Sequence, residues 1–547
     1  MTNKDLANLI FPDITKTIED YDKEYPNRDL KEGAKVTRVA PSPTGFMHIG
    51  TFMSAMIDYV MAKNSGGVFM LRNEDTDQER IVEGAVDVIF KTFDSYNIVP
   101  DEYERDGKIV GNYGPYVQSE RKEIYHAFLK HMIEIGRAYP CFCTKEETDA
   151  VAEIQKKEGL RTGYYGRYAK CRNLSIDEAY ERIKNGENYI LRFKSSGNFN
   201  KKFKFDDQKL GTIELPENDE DLVIMKASTK LPTYHFAHIV DDYLMKTTHV
   251  VRGEEWLSSV PKHIDMFNAF GFKPPKYVHT SLILKKDGDS VRKISKRKDS
   301  EALMTFYIEK GYPSKAVIDS VMTIANSNYE EWRTGHPDSP FTDFEFSPKK
   351  ISKSGAFFDM DKLDNISKNI ISRMTKDELF DELYKWATTY DVDFAKLIKE
   401  NVDYTKSILN IEREQKKPRK DYAYYSEIKE KIWYMFDELY DSHEKNYGYQ
   451  TINDEEEIEK IVKTYFEKYY DESDDKETWF NKIKDLSEEF GYAREVKAYK
   501  ENPDGYKGHV GDISTAIRVR VTTCSMTPDL YEILKLLGKE RILERLK

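Results

Sequence analysis

Val36-Thr37-Arg38-Val39-Ala40-Pro41-Ser42-Pro43-Thr44-Gly45-Phe46-Met47-His48-Ile49-Gly50 opens the ordered reading of the chain and decides its fold class. Val36 to Ala40 is a β-prone run, and two prolines and a glycine then force a turn. From Ile49 the apolar residues Met53, Met56, Ile57, Val60 and Met61 fall on one face of a helix. Asn64-Ser65-Gly66-Gly67 stops that helix, and Val68-Phe69-Met70-Leu71 reads as a second buried strand. Such a strand–loop–helix–strand unit has a right-handed crossover and places a ligand at the carboxyl end of its first strand. Neither G-x-x-x-x-G-K-[ST] nor G-x-G-x-x-G stands at the turn. His48 and Gly50 stand there instead, at a helix start whose free N–H groups and dipole favour anions. Gly50 lets a ribose or adenine approach the backbone, and His48 can donate to a phosphate oxygen.

The alternation returns further on. Thr248 to Val251 reads as a strand, Arg252-Gly253-Glu254-Glu255-Trp256 as a loop, the following residues to about Phe270 as a helix, and Tyr277 to Leu284 as a strand. The chain thus divides into a polar extension with short helical pieces at 1–34, a first β/α half at 35–135, and an insertion at 136–225. A second half follows at 226–300, then a helical region at 301–375 and a helical tail at 376–547. Thr144-Lys145-Glu146-Glu147 in the insertion has the form of a helix capping box. The last tail helix is expected to begin with Thr527 as N-cap and Pro528 at its first position, and to stop at Gly538.

At 547 residues the chain has room for about three to five domains or subdomains. No apolar run approaches the ~20 residues of a membrane-spanning helix, and no basic-then-apolar leader precedes Leu30, so a cytoplasmic protein with no membrane partner is expected. Four cysteines are too few for a disulfide scaffold. The net charge of −12 speaks against binding nucleic acid by bulk charge, although basic stretches occur at Lys285 to Lys298, at Lys349, Lys350 and Lys353, and at Lys416 to Lys420.

The string from Arg38 to Gly50 resembles the first signature of class I aminoacyl-tRNA synthetases, in the form shown by the bacterial glutamyl-tRNA synthetase family. Further matches follow in that family's order: Leu71-Arg72-Asn73-Glu74-Asp75-Thr76-Asp77, Pro232-Thr233-Tyr234-His235-Phe236-Ala237, Val251-Arg252-Gly253-Glu254-Glu255-Trp256-Leu257-Ser258 and Lys293-Ile294-Ser295-Lys296-Arg297. The resemblance implies an α/β, Rossmann-type catalytic domain with an inserted acceptor-binding subdomain, a stem-contact region and an all-α anticodon-binding domain. It implies an enzyme that joins glutamate to tRNA(Glu) at the expense of ATP and Mg²⁺, monomeric by the family's habit. Mapped onto this chain, Thr44, His48, Gly50, Glu255, Trp256, Lys293, Ser295 and Lys296 would surround ATP, with His48 and Lys296 catalytic. Arg38, Ser42, Glu74, Tyr234, His238 and Arg252 would surround glutamate. Two carboxylates and one ammonium ask for two cations and one anion, which Arg38, Arg252 and Glu74 provide.

Asn73 stands where the family usually shows isoleucine, and His238 stands where a relative aligned by spacing has an asparagine near the substrate, a change that bears on the hydrogen bonding around the amino acid. Pro41-Ser42-Pro43-Thr44-Gly45 points away from a glutaminyl enzyme. The presence of His48 and Lys296 speaks against an inactive RNA-binding paralogue, and the long tail against a short paralogue acting on a modified nucleoside. Charging of tRNA(Gln) as well is left open. A second Lys-Ile-Ser-Lys, Lys350-Ile351-Ser352-Lys353-Ser354, is assigned to structure or to the tRNA backbone rather than to ATP. Cys141, Cys143 and Cys171 resemble a zinc knob found in part of the family. A closed zinc site needs four ligands. Tyr165, Tyr168 or a distant histidine would have to complete it, and ordinary buried thiols are the favoured reading.

Overall fold

The structure, a computed structural model, describes residues 1–352 and 355–546. It contains two compact units, one of Met1–Ile308 with Val317–Met360 and one of Glu309–Ala316 with the chain from Asp361 onward.

In the first unit Val36–Val39 pairs in parallel with Val68–Leu71, from Val36 opposite Val68 to Val39 opposite Leu71. The crossover helix Ile49–Ser65 buries Ile49, Met53, Met56, Ile57, Val60 and Met61, the expected face, and ends at Gly66 with φ of 64°. Gly67 then passes so close to Lys35 that a Cβ there would lie 1.9 Å from the Lys35 carbonyl oxygen, so only glycine allows the strand to enter the sheet. On the other side of Val36–Val39, Thr248 donates its N–H to the Val36 carbonyl at 2.9 Å and brings in His249–Gly253. That strand pairs in parallel with Lys276–Thr280, and Tyr277 in turn pairs in parallel with Asp207 of Lys202–Asp207. The two parallel pieces, joined through Thr248, are the α/β arrangement of a nucleotide-fold type split by an insertion that the alternation led one to expect.

Two local expectations are corrected, for the strand after Tyr277 and for the start of the tail helix, and the N-terminal one gains detail. Tyr277 to Leu284 is not one strand: Lys276–Thr280 stops, and Ile283–Asp287 starts a second sheet with Ser290–Lys293 and Ala356–Phe357. The apolar pattern runs on through both, but Ser281 turns the chain out of the first sheet, held by Lys209 Nζ at 2.6 Å and by the Ser352 carbonyl. The N-terminal residues carry the short helices expected of them and pack on the core. Asn3–Ile10 and Ile18–Glu24 each open on a capping box, and Leu6, Ala7, Phe11, Tyr21 and Tyr25 are buried in the core; Arg28 pairs with Glu102 at 2.7 Å. In the tail, the helix Leu530–Leu537 takes Asp529 as its N-cap, accepting the Glu532 N–H, so Thr527 and Pro528 lie outside it. Its end at Gly538 is as expected, and the short helix Lys539–Leu546 follows.

Residues of the insertion divide. Ala138–Cys141, Ile190–Phe193 and Val223–Met225 form their own antiparallel sheet, and the Thr144–Glu147 capping box is present. Lys202–Asp207 and its antiparallel partner Gly211–Pro216 instead extend the sheet of His249–Gly253 and Lys276–Thr280 at its edge. The second unit is helical around a core that includes Leu379, Leu383, Phe394, Ile428, Ile483 and Ile517.

Near the carboxyl ends of the first two strands lies a buried ion network. The helix Tyr234–Leu244 supplies Asp241 and Asp242. Asp241 accepts from Arg121 Nε at 2.7 Å, Gln118 Nε2 at 2.8 Å and Tyr125 Oη at 2.8 Å. Asp242 accepts from Arg72 Nη1 at 2.8 Å, Arg38 Nε at 3.4 Å and His238 Nδ1 at 2.7 Å, while Arg72 Nη2 reaches Glu74 Oε1 at 2.8 Å. Burial works against the Asp242 carboxylate, but Arg72 and Arg38 overcome it and hold the group well below the usual carboxylate range. Its contribution to stability is therefore complete above the unfolded value of ~3.9 and is lost as the pH falls below it. Asp242→Asn should cost about 3–5 kcal/mol at pH 7 in urea unfolding, because it leaves the buried Arg38 without its carboxylate partner and takes one from Arg72. The deficit relative to wild type should shrink below about pH 4; an equal deficit at both pH values would refute the account.

Candidate active site

A cavity of about 980 Å³ opens beside Val36–Val39 and His249–Gly253. Of the residues expected around the amino acid, Arg38, Ser42, Glu74, Tyr234 and Arg252 line it. So do all those expected around ATP: Thr44, His48, Gly50, Glu255, Trp256, Lys293, Ser295 and Lys296. His238 does not. It is fully buried behind Tyr234, with the two rings stacked at 5.4 Å, and its Nδ1 is engaged by Asp242. One helical turn separates Tyr234 from His238, and that turn carries the imidazole inward.

On the nucleotide side, His48 caps its own helix, its Nδ1 accepting the Gly50 N–H at 2.9 Å. Burial first, and then the Lys296 ammonium, push the imidazole below the ordinary histidine value, which keeps it neutral at pH 7 with its proton on Nε2. Lys296 spans from the Lys293–Lys296 segment back to the first loop, donating from Nζ to the Phe46 carbonyl at 2.6 Å. Asp299 anchors that segment: it accepts the Ser295 N–H at 2.9 Å and pairs with Arg292 at 2.7 Å. Arg292 above all, against the opposition of burial, holds the Asp299 carboxyl far below its ordinary range. In the second Lys-Ile-Ser-Lys copy, Lys353 and Ser354 lie outside the described residues.

On the amino-acid side, the turn after Val36–Val39 is tied to the second motif by the Glu74 N–H, which donates to the Pro41 carbonyl at 3.0 Å. Burial shifts the Glu74 carboxyl upward, moderated by Arg72 and Arg38. Asp58 also lines the cavity; both its carboxylate oxygens are buried without a partner, and burial moves it strongly toward the neutral acid. The Tyr234 ring packs on Trp256 at 4.7 Å and its hydroxyl lies 3.5 Å from Arg252 Nη1.

The Sγ atoms of Cys141, Cys143 and Cys171 lie within 4.8 Å of one another. The group that meets them is Tyr164, whose hydroxyl is 3.4 Å from both Cys141 and Cys143 and accepts the Cys171 N–H at 2.9 Å. Tyr165 and Tyr168, named from sequence, turn away to the Arg161 carbonyl and to Glu158.

Sequence reasoning passed over Asp241, Asp242, His263, His279, Asp207 and Asp299. The adjacent acids inside the apolar pattern of Tyr234–Leu244 were a usable signal, as was a histidine inside the strand Lys276–Thr280. Nothing local marks Asp299, whose partners come from the hairpin before it.

The model of the tRNA synthetases class I (E and Q), catalytic domain, matches residues 35–365. The chain is 47% identical to a glutamate–tRNA ligase of Acetivibrio thermocellus over 548 residues, covering all of both chains. It is 48% identical to one of Clostridium perfringens over 556 residues, covering 100% of this chain and 99% of the relative. Among solved structures, a glutamate tRNA ligase from Elizabethkingia meningosepticum in complex with its amino acid superposes with a TM-score of 0.72 at 25% identity, covering 94% of this chain and 98% of that one. The chain belongs to the class I tRNA synthetases of the E and Q group.

Proposed function

We propose that the protein is an enzyme that activates glutamate with ATP and transfers it to the 3′ end of tRNA(Glu). The observation that carries this reading is one cavity in which two guanidiniums and a carboxylate, Arg38, Arg252 and Glu74, stand beside a helix start capped by His48 and reached by Lys296. Full-length relatives at 47% and 48% identity that bear the name glutamate–tRNA ligase support it. In the first step the α-carboxylate of glutamate attacks the α-phosphorus of ATP and pyrophosphate leaves; in the second the terminal ribose of the tRNA takes the acyl group and AMP leaves. No side-chain nucleophile is needed. Arg38 and Arg252 bind carboxylates and Glu74 receives the α-ammonium, so the amino acid is oriented by charge. His48, Ser295 and Lys296 meet the phosphates, where charge builds up in the first transition state. Mg²⁺ would be held largely by ATP and water.

In this reading residues 136–225 hold the acceptor end, 301–375 contact the stem and 376–547 read the anticodon, through a basic and aromatic face. The enzyme works as a monomer in the cytoplasm. Discrimination against tRNA(Gln) is tested by offering labelled glutamate and separate transcripts of the two tRNAs: charging of tRNA(Glu) alone marks a discriminating enzyme, charging of both a relaxed one, and charging of neither overturns the function. Lys296→Ala should slow single-turnover adenylate formation, run with tRNA present, by ~10²–10³. An unchanged rate would remove Lys296 from the ATP site.

Cys141, Cys143, Cys171 and Tyr164 fit a closed four-donor zinc site, in which three sulfurs and a phenol oxygen converge. Zinc would supply structural cross-linking there and no chemistry. Elemental analysis of the purified protein should find about one zinc per chain, falling on Cys143→Ser substitution; a zinc-free, equally stable protein returns the cluster to ordinary buried thiols.

A further inference from the structure

Arg252 is held differently from the other buried guanidiniums at the cavity. Arg38 and Arg72 lean on the carboxylates of Asp242 and Glu74. Arg252 instead donates from Nε to His279 Nε2 at 3.1 Å and from Nη1 to His263 Nδ1 at 3.2 Å and to the Tyr234 hydroxyl at 3.5 Å, and Nη2 reaches the Trp256 carbonyl at 3.4 Å. Its plane lies 4.7 Å over the Tyr277 ring. None of these partners among the described residues is a carboxylate.

A guanidinium has five N–H donors and no lone pair to offer, so each imidazole nitrogen it touches must be the unprotonated one. That fixes a chain of tautomers. His279 carries its proton on Nδ1 and gives it to Asp207 Oδ2 at 2.7 Å. His263 carries its proton on Nε2 and gives it to His235 Nδ1 at 2.9 Å, which leaves the His235 proton on Nε2. Neither His263 nor His279 can gain a second proton while this arrangement stands, because N–H would then face N–H. The surroundings agree: burial, His238, Arg252, His235 and Lys262 all disfavour the cationic form of His263. Around His279, burial and then Arg252 and Lys209 outweigh the pull of Asp207.

We propose that His263 and His279 are positioning residues that hold Arg252 by neutral acceptor bonds alone, leaving its charge uncompensated for the side-chain carboxylate of the substrate and so selecting glutamate over glutamine. This rests on the reading of Arg252 as a carboxylate clamp. A carboxylate partner on the protein would hold the arginine equally well but would compete with the substrate for it. An amide substrate gains nothing from an unpaired cation, whereas a carboxylate gains a charge-assisted pair in a desolvated setting.

The test compares His263→Gln with His263→Glu in the full-length enzyme, by aminoacylation of tRNA with glutamate and with glutamine. The two side chains have the same length and both can accept from Arg252; they differ by one charge, and the cations around position 263 keep the glutamate ionised. His263→Gln should keep KM for glutamate within about fivefold of wild type, whereas His263→Glu should raise it on the order of 10²-fold and narrow the preference over glutamine, with KM for ATP unmoved in both. A purely structural role would move both variants alike, and equal rises in KM overturn the proposal, as does a wild-type KM in His263→Glu. If His263→Glu does not fold, the shorter pair His263→Asn and His263→Asp gives the same contrast. Arg252→Ala, run beside them, separates the two layers. A wild-type KM for glutamate in that variant removes the clamp itself, whereas its loss together with equal behaviour of the His263 variants removes only the role given to the histidines.

Discussion

Asp242 is the point on which the cavity hangs. Its carboxylate gathers Arg38 from the first strand, Arg72 from the end of the second and His238 from its own helix, all of them buried. An ion cluster of this kind contributes little net stability compared with an apolar packing of similar volume, since desolvating the charges offsets most of their attraction. What it does fix is position. Arg72 is pinned between Asp242 and Glu74, and Glu74 is pinned in turn by the Pro41 carbonyl, so the turn after the first strand and the motif after the second are locked together. The network also leaves the wall with few free charges, which makes those that remain unpaired chemically conspicuous.

Two ways of holding a buried arginine therefore stand side by side. Counter-charge gives a fixed guanidinium whose charge is shared with the protein, as at Arg38 and Arg72; neutral acceptors give one fixed just as firmly with its charge unshared. The end of the cavity at His48 and Lys296 relies on a third device, in which backbone groups and loop ends are pulled into place by single charges. Asp299 organises the segment carrying Ser295 and Lys296, and the Lys296 ammonium then reaches a main-chain carbonyl beside His48.

Much of this was legible in the sequence because its signals are local. The β–loop–α–β reading of residues 36–71 holds in order and type, with the first strand ending at Val39 rather than Ala40 and the helix running on through Ser65, since apolar spacing, a glycine stop and a proline turn all point one way. Motif residues needed for chemistry lie within short strings, and all those assigned to the cavity except His238 line it. His238 misled because a helix repeats its face after one turn only approximately, and here that turn crosses from cavity wall to core. What stayed hidden is contact at long range. Asp207 meets His279 across 72 positions, Arg121 meets Asp241 across 120, and no periodicity encodes such pairs. The break between Lys276–Thr280 and Ile283–Asp287 was invisible for a related reason: apolar alternation records that a segment is half-buried in a sheet, and says nothing about which sheet.

The hairpin of Lys202–Asp207 and Gly211–Pro216 has a bearing on how modular this architecture is. By chain order it belongs to the insertion, yet its Asp207 supports the imidazole that supports Arg252. A chimera that exchanged the insertion at its sequence borders would carry one protein's Arg252 on another protein's prop. The natural seam for grafting runs inside the insertion, around the antiparallel sheet of Ala138–Cys141, Ile190–Phe193 and Val223–Met225, with the hairpin left behind as part of the host. Divergence of the inserted segment in such a scaffold is then interrupted at Lys202–Pro216, where the chain returns to the larger sheet before Val223–Met225 rejoins the inserted one.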